Sequence, residues 1–94
     1  MIRVLIDRYF APGTDDELRR VELEARQEAI RMPGYISGET LRDAANPQHN
    51  VVISTWRSRE EWDAWMASQA REKVALEVAA LLIQPEQITV LEPL

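Results

Sequence analysis

The spacing of apolar residues along this chain switches repeatedly between the two-residue period of a strand and the three-to-four-residue period of a helix. That succession restricts the fold more than any other feature of the sequence. Residues 2–10 read as a strand, with Ile2, Val4, Ile6 and Phe10 alternating with Arg3, Leu5, Asp7 and Tyr9. Ala11-Pro12-Gly13 breaks it. Thr14-Asp15-Asp16-Glu17 has the form of a capping box, and its acids suit the positive end of a helix dipole. Leu18, Val21, Ala25, Ala29 and Met32 then form one helical stripe, which Pro33-Gly34 stops. Tyr35 to about Asp43 reads as a second strand, with Gly38 marking a bulge or a close approach. Residues 44–50 are a polar loop, and Val51–Trp56 is a third strand, so that 35–56 forms a hairpin. Ser58-Arg59-Glu60-Glu61 is a second capping box, opening a helix that carries Trp62, Trp65, Met66 and Ala70 on one face. Residues 72–83 are also helical and either continue that helix or bend away near Ser68; Pro85 ends them. Ile88–Leu91 is a fourth strand.

The order β-α-β-β-α-β predicts an α+β, ferredoxin-like fold: a four-stranded antiparallel sheet with helices on one face. A chain of 94 residues holds one domain, spanning 1–94, with a thin core. The first and third strands, expected at the sheet centre, are apolar on both faces, because Leu5 lies between Val4 and Ile6 and Val52 between Val51 and Ile53. A sheet wet on one side alternates cleanly. A second copy covering the bare face is the simplest remedy, and a homodimer is expected. With no cysteine and one histidine, disulfides, thiolate metal sites and multi-histidine metal sites within one chain are excluded. A net charge of −5 argues against nucleic acid and anionic membranes as partners. No apolar run approaches the roughly 18 residues of a membrane span. The first residues turn charged too early for a signal peptide, so a cytoplasmic protein is expected.

Asp7 is the carboxylate of most interest, because burial in a central strand demands a partner or raises its pKa toward that of a useful base. Trp62 and Trp65 share the apolar face of the second helix, as core or as the wall of a pocket for a flat ring. Trp56, at a strand end, reads as a structural plug. His49 reads as a solvated loop residue, and Arg57 and Arg71 as exposed ion-pairing groups, with contact to an anionic group as the alternative. Tyr9 and Tyr35 are each able to donate a hydrogen bond to a ligand carbonyl. Leu23 and Ile30 lie seven apart on the charged side of the first helix, away from its apolar stripe.

Pro33-Gly34-Tyr35, the run Val51-Val52-Ile53-Ser54-Thr55-Trp56-Arg57-Ser58-Arg59-Glu60-Glu61-Trp62, and Trp65-Met66-Ala67-Ser68 together resemble the antibiotic biosynthesis monooxygenase (ABM) family. The resemblance implies a homodimeric α/β barrel, with a cleft between helices and sheet in each protomer. It also implies, for some members, oxygenation of electron-rich aromatics with no metal or flavin cofactor. On this reading Asp7 is the catalytic base, Trp65, Trp62, Tyr9 and Met66 contact a small aromatic substrate, and no metal is held. The family's haem-degrading branch has an Asn near the end of the first strand and a ligating His ten residues after the helix Trp; here those positions are Asp7 and Ala75. The expected function is cofactor-free monooxygenation of an aromatic or quinol. The alternatives are a non-catalytic ligand-binding or structural dimer and a non-oxidative, isomerase-type relative. By periodicity Ile2, Val4 and Ile6 face the helices; by resemblance the Asp7 face lines the cleft. The sequence leaves the two in conflict.

Overall fold

A computed structural model describes residues 1–94. The chain runs β1 (Ile2–Tyr9), α1 (Asp15–Ala29), β2 (Tyr35–Arg42), β3 (His49–Trp56), α2 (Arg59–Met66), α3 (Gln69–Ala79) and β4 (Gln87–Leu91). All strand pairs are antiparallel, in the order β2-β3-β1-β4, so β1 and β3 are central as the two-sided apolar pattern requires. This is the ferredoxin-like α+β fold.

The period of two in β1 settles which face meets the helices. Ile2, Val4, Ile6, Arg8 and Phe10 are buried, while Leu5, Asp7 and Tyr9 are only partly covered on the opposite, open face. The apolar core falls into two clusters. Ile2, Val4, Ile6 and Ala29 pack with Trp56, Trp62 and Trp65 at one end; Phe10, Leu18, Val21, Val74 and Val78 pack at the other. Trp56 is the hub of the first: Tyr35 and Trp62 meet it edge-on at ring-centroid distances of 5.3 and 5.7 Å, and Trp65 stacks on it at 6.4 Å. The reading of Trp56 as a plug agrees with this packing.

Local expectations divide. Ser58 caps α2 as its box predicts, accepting from the Glu61 N–H at 3.3 Å while its hydroxyl donates to the Glu61 carboxylate at 2.9 Å. Thr14 does not cap α1 through its side chain; its hydroxyl turns back to donate to the Ala11 carbonyl at 2.6 Å. The helix after Trp62 bends at Ser68, whose Oγ accepts from the Arg71 N–H and so starts a separate α3. That α3 stops at Ala79, short of residue 83, because the following turn is tied to the end of β1: Ala11 N–H donates to the Leu81 carbonyl and Ile83 N–H to that of Tyr9. Gly34 has φ +88°, and a side chain there would run into the Glu61 carboxylate. The strand irregularity expected around Gly38 lies between Tyr35 and Ser37, and Gly38 itself permits a close approach: a Cβ would stand 2.5 Å from the Tyr35 hydroxyl.

Candidate functional site

Between the two core clusters, β1, α1 and α3 each contribute one buried charged residue. In β1 it is Arg8, flanked on the same face by Ile6 and Phe10; in α1 it is Glu22, one turn from Leu18; in α3 it is Arg71, one turn before Val74. Burying charge is unfavourable unless it is paired, and here pairing is nearly complete. Arg8 Nη1 donates to Glu22 Oε2 at 2.8 Å and Arg8 Nε to Glu86 Oε2 at 2.9 Å. Arg71 Nη2 donates to Glu86 Oε1, and Asn50 Nδ2 to Glu22 Oε1 at 3.2 Å. Burial works to raise the Glu86 carboxyl, but Arg8 and Arg71 outweigh it and hold it below the usual carboxylate range. Two buried polar atoms are left without a partner in the protein: Arg71 Nη1, a donor, and Asn50 Oδ1, an acceptor.

This network stands beside a cleft between helices and sheet. An outer groove of about 430 Å³ runs between α1 and the β2–β3 hairpin, lined by Phe10, Leu18, Leu23, Leu41 and Asn50 among others. Behind it lies a narrow inner cavity of about 60 Å³, walled by Trp56, Trp62, Trp65, Tyr35 and Arg71. Glu22, Arg26 and Thr40 line both, so the groove leads into the cavity. The groove falls within the usual range of ligand sites, roughly 300–1,000 Å³. The inner space is smaller than the roughly 150 Å³ that admits a benzene ring. As it stands, the cleft takes a ring in the groove and a ring substituent in the cavity.

The sequence-derived residues separate into two groups. Trp62 and Trp65 do wall the cavity. Met66 packs against the core cluster and lines neither space. Asp7 and Tyr9 are on the other side of the sheet, so Asp7 is not positioned to serve as a base in the cleft; alternation along β1 decided the conflict in favour of Ile6 facing inward. Arg57 is exposed and paired with Glu61, as expected, but Arg71 is 4% exposed, pairs with Glu86 through Nη2 and keeps Nη1 without a partner. Leu23 and Ile30 are both exposed, and Leu23 edges the groove. Arg8, Glu22, Asn50 and Glu86 were missed. The signal for Arg8 was available: strict alternation places it in the same inward set as Ile6 and Phe10.

The open face holds its own cluster. His49 belongs to β3, not to the loop, and pairs with Tyr9 across the strands. Its Nε2 bonds Asp7 Oδ1 and its Nδ1 bonds Asp43 Oδ2, both at 2.8 Å, and Tyr9 stacks on the ring at 4.1 Å. The solvated reading of His49 is thereby corrected, because two carboxylates and a ring hold it. An imidazole donates from both nitrogens only when charged. The hydrogen bond to Asp43 raises the His49 pKa above its ordinary value, against burial and with help from Asp7, and the same bond lowers that of Asp43. A raised histidine contributes stability that is complete below its unfolded pKa and is lost as pH rises through the folded one; the lowered aspartate loses its contribution as pH falls. The destabilisation caused by His49→Gln is therefore expected to be largest between about pH 4 and pH 6.5. It is expected to shrink as pH rises above that window. Urea melts of both proteins across pH check this, and a difference independent of pH would refute the clamp.

The donors that haem iron would need do not converge on the cleft. Ala75 stands where the resemblance puts the haem branch's histidine, His49 is engaged on the open face, Tyr9 is stacked beside it, and Met66 lies outside the cavity lining.

The four-stranded sheet with a cleft under its helices defines a ferredoxin-like α+β protein. The chain belongs to the antibiotic biosynthesis monooxygenase (ABM) family, whose model matches residues 1–75. Among solved structures it is similar to a conserved protein of Methanosarcina mazei Go1, with TM-score 0.93 and 16% identity, covering 99% of this chain and 92% of that one. A protein of Mycobacterium tuberculosis matches with TM-score 0.89 and 24% identity, covering 99% and 94%. SnoaB, a cofactor-independent oxygenase from Streptomyces nogalater, matches with TM-score 0.85 and 17% identity, covering 99% and 93%. At these identities the likeness establishes the fold alone. A search of curated proteins finds no significant match to this sequence. No helix is long and apolar enough to cross a membrane.

Proposed function

We propose that residues 1–94 form one ABM-type domain that works as a homodimeric monooxygenase, oxidising a small electron-rich aromatic or quinol without metal or flavin. Family membership and the description of SnoaB as a cofactor-independent oxygenase support the reaction class. The observation that carries the reading here is the groove that leads into a tryptophan-walled cavity with polar atoms at its margin. In such a reaction a base removes a proton from an activated ring CH₂. The electron pair left behind reduces O₂ as a C–O bond forms, and loss of water leaves a carbonyl: R₂CH₂ + O₂ → R₂C=O + H₂O. Glu22 is the carboxylate common to groove and cavity, and we assign it the role of base in place of Asp7. Trp62 and Trp65 keep water from the inner end.

Oxygen uptake with an anthrone-type substrate tests this. One O₂ consumed per substrate is expected, with the rate lowered about 10²–10⁴-fold in Glu22→Gln if the carboxylate takes the proton. Uptake no faster than without protein would favour a ligand-binding or structural role.

The dimer has its own support. Leu5, Val51 and Ile53 on the open face are only half covered, and Leu41 and Leu91 beside them are exposed. Apolar area of this kind marks an interface. Sedimentation equilibrium is expected to give twice the 10.8 kDa chain mass at micromolar concentration, and a stable monomer would refute it.

A further inference from the structure

We propose that Arg71 is the specificity-determining residue of the cleft, and that it selects aromatic ligands carrying an ionised oxygen, a phenolate or an enolate, over neutral rings of the same size. The inference rests on the cleft being the substrate site. Arg71 is 4% exposed and lines the inner cavity. One of its terminal nitrogens is committed to Glu86, while Nη1 is buried with no acceptor in the protein. A buried charged donor left unmet is unfavourable, and an acceptor supplied by a ligand relieves it. The charge balance points the same way. Arg8 is shared between Glu22 and Glu86, so these two arginines and two glutamates cancel, and the charge left over on the lining is that of Arg26, whose Nη2 donates to the Thr40 hydroxyl at 3.0 Å. That charge favours anions in general, and the discrimination among ligands of one size is made by a short directed hydrogen bond to Arg71 in the cavity. The space there is about 60 Å³, which accommodates an oxygen substituent and excludes the ring. The ring is left in the outer groove against Phe10, Leu18 and Leu23.

Asn50 supplies the second half of the pattern. Its Nδ2 is fixed by Glu22, which directs Oδ1 as an acceptor, and that atom also has no partner. Asn50 lines the groove, whereas Arg71 lines the cavity. A ligand satisfying both presents an oxyanion inward and a hydroxyl outward, the pattern of a polyhydroxylated ring that has lost one proton. Holding that ring as its anion also lowers the pKa of the bound hydroxyl, since an opposite charge favours the ionised form.

The test uses 4-nitrophenol, whose phenolate absorbs in the visible, and 4-nitroanisole, which cannot ionise. Neither is an oxygenation substrate, so binding is read apart from turnover. With the wild-type protein, bound nitrophenol is expected to ionise at lower pH than free nitrophenol, and nitrophenolate is expected to bind at least about tenfold tighter than nitroanisole. Arg71→Lys retains a cation for Glu86 but loses the second guanidinium nitrogen, and Arg71→Gln removes the charge. Each is compared after its thermal transition shows that it is folded. Loss of the ionisation shift in Arg71→Lys, with nitroanisole affinity unchanged, supports the inference. Equal binding of the two probes by the wild type, or a full ionisation shift in Arg71→Lys, overturns it and leaves the monooxygenase reading standing. Failure to bind either probe overturns it together with the assignment of the cleft as the substrate site.

Discussion

Replacing Trp56 with alanine is expected to remove most of the stability of this protein. Trp56 is 1% exposed and joins Tyr35, Trp62 and Trp65 into one aromatic cluster. Its indole N–H donates to the Ser54 hydroxyl at 3.1 Å, so truncation also leaves a buried polar group alone. Deleting an aromatic side chain from a packed core costs about 3–5 kcal/mol, transfer and cavity terms together. Small domains lie toward the low end of the usual 5–15 kcal/mol. Trp56→Phe keeps part of the ring contact and is expected to lose less than half as much. Urea unfolding followed by circular dichroism measures both. A loss of under about 1 kcal/mol for the alanine variant would mean that the cluster relaxes into the space or that the packing around Trp56 is looser than described.

Arg8→Met is expected to be nearly as damaging, for an electrostatic reason. Without Arg8, Glu86 keeps Arg71, but Glu22 keeps only the Asn50 amide. Removing one partner of a buried ion pair costs about 3–5 kcal/mol, mainly because the other charge stays behind. The cost is expected to reverse when the stranded charge is removed too: Arg8→Met combined with Glu22→Leu is expected to recover most of the loss, as apolar replacements of buried ion pairs often do. The double-mutant cycle reads this directly. Additive losses in the double variant would show that Glu22 is stabilised by groups other than Arg8. The same double variant is expected to abolish oxygen uptake while remaining folded, because Glu22 is the proposed base.

Much of the fold was legible because it depends on local spacing. The period-two runs in β1 and β3, the Leu18–Met32 stripe and the Ser58 box each act within a few residues. They define the element order and the central position of two strands that are apolar on both sides. The site was less legible. Helical spacing set Trp62 and Trp65 on the buried face with Ala70, and the family resemblance placed that face against a cleft. Arg71 was misread because a charged residue in a helix ordinarily faces water, and its partner Glu86 lies fifteen residues away beyond a turn. His49 was misread for a similar reason: its two carboxylates come from β1 and from the turn after β2, forty-two and six residues distant.

The sequence by itself determined the strand and helix order, the ABM resemblance and the absence of cysteine chemistry; which face of the sheet Asp7 takes was left to the structure. Those features rest on composition or on contacts between near neighbours, where periodicity has force. Only the tertiary structure decided which charges are buried, that Arg8, Glu22, Arg71 and Glu86 neutralise one another between two apolar clusters, and that one guanidinium nitrogen remains free beside the tryptophan wall. A buried charge is stable only with its partner, and that partner is supplied by whichever element packs across the interior, a relation that no spacing along the chain encodes.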